Sequence, residues 1–174
     1  SNDIGVIPDP LELTKKPSYS AQLSKKDEEF TYTVDYNFNN VPYEFEKNVM
    51  LTDPIDYRLE VVSHSAQGPD GQSWPTRVVT QQDAGGNSQS VVVADVPPQG
   101  KDYNYLIMKK AKLKMTVRLK EEYRKNQASK AYLAILQNNN GYGLVNQGNI
   151  MWNGEDDSPN PDPHAKTADK PSTI

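Results

Sequence analysis

An all-β sandwich is predicted for this 174-residue chain by three observations: strict two-residue alternation, turn signals between short apolar stretches, and no strand–helix–strand rhythm. The alternation is clearest twice. Phe30, Tyr32, Val34, Tyr36 and Phe38 are interleaved with Thr31, Thr33, Asp35 and Asn37. Ala111, Leu113, Met115, Val117 and Leu119 are interleaved with Lys112, Lys114 and Arg118. Successive strand residues point to opposite faces, so each stretch offers one apolar and one polar side.

In chain order, residues 1–10 contain two prolines and read as a linker. "LELTKK" follows as a short strand with Leu11, Leu13 and Lys15 on one face and Pro17 at its end. After the aromatic strand, "VMLTDPID" puts Val49, Leu51 and Asp53 on one face before a turn at Asp53-Pro54. Leu59 to Val62 reads as a further strand. "TRVVTQ" and "QSVVVADV" form a hairpin across "QDAGGNS". "AKLKMTVRL" is the second alternating strand, and its outward basic row reads as a solvated sheet face. "ASKAYLAILQ" favours a short helix. The last strand lies within "GYGLVNQGNIMWNG", where Leu144, Asn146, Gly148, Ile150 and Trp152 share a face. Residues 155–174, rich in Pro, Asp and Ser, read as a disordered tail or linker. The expected organisation is a linker at 1–10, one domain at 11–154 and a linker at 155–174.

Composition narrows the function. A formal net charge of -4 with both signs mixed does not suggest a nucleic-acid binder. The absence of cysteine removes disulfides, thiol catalysis and thiolate metal sites. No apolar run has the length of a membrane span, and no signal peptide is evident. The opening Ser-Asn reads as a remnant of excision from a longer parent. There is no P-loop, dinucleotide fingerprint or zinc spacing. His64 and His164 lack companion catalytic residues, and the acidic "GEDDSPNPDP" lacks calcium-loop periodicity. No cofactor or metal is expected.

Three polar residues continue apolar faces: Lys15, Asp53 and Asn146. Ordinary roles exist for each, since Lys15 can reach outward, Asp53 can cap its turn and Asn146 can satisfy a bulge. Together they form a reactive set. Burial favours the neutral forms of an amine and a carboxyl. A free amine is a nucleophile, and a neutral acid can polarise a carbonyl. Attack of Lys15 on the Asn146 carboxamide with loss of ammonia leaves an isopeptide bond, and the fold itself supplies proximity.

The chain resembles the isopeptide-forming β-sandwich domains of Gram-positive surface adhesins and pilins, of the collagen-adhesin type. The resemblance spans about Leu11 to Gly154 and rests on "LELTKK", "FTYTVDY", "VMLTDPID" and "LVNQGNI". It implies an immunoglobulin-like sandwich in which Lys15 and Asn146 are cross-linked and Asp53 promotes the bond. The family usually has alanine two residues after the asparagine; here that position is Gly148. Lys16 adjoins Lys15, which strand parity favours. Glu28 or Glu29 is the alternative acid, as in a subfamily that uses glutamate.

The resulting expectation is a structural or adhesive module of a bacterial surface protein, extracellular and wall-anchored through its parent. It would be a monomer whose only chemistry is single-turnover self-cross-linking. Its partners would be neighbouring modules and host extracellular matrix, with no membrane contact by this segment. The alternative is a module that binds a host matrix protein such as collagen, or a carbohydrate, through Trp74 and the tyrosines of "DYNY".

Overall fold

The computed structural model describes residues 11–17, 29–38, 47–124, 144–152, 165–167 and 172–173; for 11–17, 124, 145, 165–167 and 172–173 it describes backbone alone. The strands are β1 (Leu11–Pro17), β2 (Phe30–Phe38), β3 (Met50–Pro54), β4 (Leu59–Gln67), β5 (Ser73–Trp74) and β6 (Thr76–Gln82). They continue with β7 (Ser88–Asp95), β8 (Lys109–Leu119), β9 (Val145–Asn146), β10 (Asn149–Met151), β11 (Ala165–Thr167) and β12 (Ser172–Thr173). One sheet runs β1-β2-β8-β4-β5 and the other β11-β10-β3-β7-β6, while β12 and β9 form a separate pair. Every pairing is antiparallel. The two-sheet, all-β expectation therefore holds.

Alternation in sequence becomes alternation in burial. All five apolar residues of β2 are buried and its polar residues half-buried; in β8 the inward row is buried too, while Lys110, Lys112 and Lys114 are exposed and Thr116 and Arg118 half-buried. Tyr32, Val34, Leu113 and Met115 of the first sheet meet Leu51, Val92, Ala94 and Ile150 of the second in one cluster. Two layers suffice because each sheet supplies one dry face. β3 departs from alternation: Met50 and Thr52 are buried on its other side, where Met50, Val91, Val93 and Met151 form a smaller cluster. β4 runs to Gln67, beyond the expected Val62, with an irregularity between Val61 and Ser63.

Turns follow local chemistry. In the β6–β7 hairpin, Asp83 Oδ1 accepts from Gly85 N at 2.9 Å and Asn87 N at 2.8 Å, while Gly86 takes φ 81°. Asp56 forms a two-point pair with Arg58 between β3 and β4.

One expectation meets a different outcome. The last strand is divided into β9 and β10 around Gln147–Gly148, because its two parts pair with different partners, β12 and β3. Within 155–174, β11 pairs with β10 and β12 with β9, which satisfies backbone groups that those short strands would otherwise leave open. The helix expected over "ASKAYLAILQ" lies outside the described residues; the helix that is described, α1, is Glu121–Arg124.

If the inward row of β8 is the centre of the core, Leu113→Ala should lower unfolding free energy by about 2–5 kcal/mol. Ser65→Ala, on the exposed face, should stay within about 0.5 kcal/mol. Denaturant titration of the two variants checks the contrast.

Candidate functional site

Asp53 lies near the end of β3 and Asn146 at the end of β9. Both are buried, at 0% and 2% exposure. Asn146 Nδ2 donates to Asp53 Oδ1 at 2.6 Å and to the Pro54 carbonyl at 3.2 Å. A carbonyl can only accept, so Pro54 fixes which end of the carboxamide faces the acid. Among the described residues, Asn146 Oδ1 has no hydrogen-bond partner. Sequence reasoning paired the acid with the amide oxygen; the structure pairs it with the amide nitrogen.

Lys15 enters through backbone register. β1 pairs with β2 so that Lys15 stands opposite Val34 and Lys16 opposite Thr33. Val34 is buried and Thr33 half-buried. Directly opposed residues of an antiparallel pair share a face, so position 15 lies on the core face and position 16 on the outer one. The last segment crosses the same spot. A Cβ built on Gly148 would lie 3.0 Å from both Val34 methyls. Glycine at 148, where the resemblance leads one to expect alanine, lets the segment approach the residue paired with Lys15.

Tyr36, two residues beyond Val34 on the same face, was overlooked as a site residue. Its hydroxyl donates to the Asn149 carbonyl at 2.9 Å, tying β2 to β10. Burial, and then the charge of Asp53, hold its phenol well above the ordinary value of 10.0. Its inward position was legible from alternation; its partner depended on the packing of the two sheets.

Other candidates separate from this site. Glu29 is exposed and lies 3.8 Å from Arg118 in an ion pair. Glu28, His164 and the acidic tail segment lie outside the described residues. His64 is exposed, with Nδ1 2.7 Å from Thr76 Oγ1. Trp74 is buried with its ring against Gly68, and Tyr103 is buried as well. Tyr105 is half-buried and donates to the Pro97 carbonyl at 2.6 Å. These aromatics were offered as ligand-binding residues; burial withdraws Trp74 and Tyr103 from the surface. No group of residues suited to hold a metal occurs among the described residues.

No protein-family model matches the chain. Over all 174 residues the chain is 98% identical to part of a Streptococcus gordonii protein named platelet adherence protein A, and it spans 5% of that protein's length. Among solved structures it is similar to the major pilin SpaA of Corynebacterium diphtheriae, described as pointing to a modular pilus assembly with stabilising isopeptide bonds. The TM-score is 0.54 at 13% identity, covering 94% of this chain and 37% of the pilin. A backbone pilin of Streptococcus pyogenes, described as modular with three domains, also gives a TM-score of 0.54. Identity there is 10%, covering 94% of this chain and 35% of that one. The fold is thus the β-sandwich found in modules of Gram-positive pilins and adhesins.

Two tests follow from the geometry. Because the folded-state value of Tyr36 is raised, its contribution to stability is intact below pH 10.0 and is lost as pH rises through the displaced value. Alkaline unfolding should therefore be shallower in Tyr36→Phe, which should lose about 1 kcal/mol at neutral pH with the bond to Asn149. Gly148→Ala should cost about 1–3 kcal/mol through crowding of Val34. In combination with Val34→Ala it should be less destabilising than the sum of the two single changes, as measured by a denaturant double-mutant cycle.

Proposed function

We propose that this chain is a load-bearing module of an adhesive bacterial surface protein, closed by an autocatalytic isopeptide bond between Lys15 and Asn146 with Asp53 as proton carrier. The observation that carries the reading is the buried Asp53–Asn146 contact at 2.6 Å. Support also comes from the register of Lys15 opposite Val34 and the close approach of Gly148 to that same valine. The streptococcal relative named for platelet adherence and the pilin-like fold support an extracellular setting. In that setting the module is anchored to the cell wall through its parent. Its partners are neighbouring modules and, for the whole protein, host surfaces.

The chemistry balances without a cofactor. The neutral amine of Lys15 attacks Asn146 Cγ and a carbon–nitrogen bond forms. Asp53 takes a proton from the attacking nitrogen and delivers one to Nδ2, which lies at its Oδ1. The bond from Cγ to Nδ2 breaks, ammonia departs, and a secondary amide joins β1 to β9. Dry surroundings favour the free amine and the neutral acid that this sequence needs. The reaction occurs once per molecule, so the chain is substrate and catalyst together. The bond closes a loop of about 131 residues, worth roughly 5 kcal/mol in the chain-entropy model of cross-links.

The intact mass of the denatured chain decides the matter. The expected mass is one ammonia below the sum of the residues, and peptide mapping should join Lys15 to Asn146. Asp53→Ala and Lys15→Arg should each restore the full mass, while Lys16→Arg should keep the deficit. A full mass in the unaltered chain would sink the proposal, and a deficit that survives Lys15→Arg would reassign the lysine.

A further inference from the structure

We propose that the outer face of the first sheet binds an acidic polysaccharide along the lysine row of β8. Lys110, Lys112 and Lys114 all stand exposed on that face. Residues two apart on a strand are separated by roughly 7 Å, so the row is a line of like charges at regular spacing. Lysine on an edge strand is explained as protection against unwanted pairing. That explanation does not reach Lys112 and Lys114, which have ladder partners in both β2 and β4, whereas Lys110 lies just past the end of β4 and pairs with β2.

Local charges leave the row largely uncompensated. Lys112 lies 4.0 Å from Asp35 Oδ1. Arg118, further along, is held by Glu60 at 2.5 Å and Glu29 at 3.8 Å. Lys110 and Lys114 have no acidic partner among the described residues. This positive row stands on a chain whose formal net charge is -4.

The surface beside the row is shaped. A depression of about 400 Å³ is lined by Asp35, Asn37, Gln67, Gly68, Lys110 and Lys112. A second, of about 220 Å³, is lined by Ser65, Gln67, Lys112 and Lys114. They share Gln67 and Lys112, so they form one trough between β8 and the end of β4. Its walls combine ammonium groups with neutral amides and a hydroxyl. The first suit carboxylate or sulfate; the second suit sugar hydroxyls. Asp35, also in the wall, is drawn to Lys112, which leaves Lys110 and Lys114 as the anion-binding positions. No aromatic ring lines the trough among the described residues, which disfavours a neutral sugar held by stacking. A peptide adding to the sheet would need an edge rather than a face. Duplex nucleic acid would need a broader basic footprint.

Immobilised heparin, probed with the full chain at low and physiological salt, tests the proposal. The expected result is binding that weakens as salt rises. The double variant Lys110→Ser/Lys114→Ser should bind about tenfold more weakly at an unchanged melting temperature. Lys101→Ser, exposed on a loop elsewhere, should bind as the unaltered chain does. Absence of heparin binding at low salt, or equal affinity in the double variant, would overturn the proposal. Equal affinity for duplex DNA would also overturn it, since the face would then attract any polyanion. The trough is a surface feature, so none of these readings depends on the isopeptide bond.

Discussion

A carboxyl and a carboxamide facing one another in a dry space between two sheets set the terms for this module. Asp53 and Asn146 are both withdrawn from water, and the Asn146 carbonyl lacks a hydrogen-bond partner among the described residues. An unmet buried acceptor costs about 1–3 kcal/mol. Well-packed apolar residues at such positions are often neutral or stabilising by comparison. A sequence shaped only for packing would have little reason to keep this pair, whereas a reactive carboxamide needs both its dryness and its neighbouring acid.

In the proposed reaction, positioning of that pair depends on contacts that would not themselves react. Pro54 orients the carboxamide through its carbonyl, and Tyr36 fastens β10 to β2 through Asn149. Val34 receives Gly148 on one side and stands opposite Lys15 on the other. The three together bring the first strand, the second strand and the last segment to one place. A displacement of about 1 Å at such a centre is enough to slow a reaction that relies on proximity. The aromatic character of β2 is thus a requirement of placement as well as of core volume.

Much of this was legible from alternation. The inward rows of β2 and β8, the hairpin at Asp83–Asn87 and the inward parity of Asp53 and Asn146 all follow from residue order, because strand geometry has a period of two. Parity also separated Lys15 from Lys16, and the register with Val34 agrees with that choice. What could not be read was pairing between distant segments. The division of the last strand at Gly148, the two short strands within 155–174 and the bond from Tyr36 to Asn149 are set by sheet-to-sheet packing. Trp74 illustrates a different limit: a loop aromatic with no periodic context fits either a surface or an inward reading, and here it is buried with its ring against Gly68.

The topology gives the proposed bond a specific mechanical task. β1 is an edge strand with β2 as its ladder partner, so a pull from its Leu11 end would open hydrogen bonds one pair at a time. Peeling of that kind meets little resistance, since each backbone bond contributes only about 1 kcal/mol net. A covalent link at position 15 would stop it within β1, confining any opening to the residues before Lys15. Load would then pass directly to β9 and bypass the β2–β8 ladder. The lysine row of β8 lies on the outer face of the sheet that this bond protects. A polysaccharide held there would pull on a strand that sits inside the sheet, flanked on both sides by hydrogen-bonded neighbours. Reinforcement belongs at the edge, where the fold is weakest under tension, and attachment belongs at the middle, where the ladder already resists on two sides.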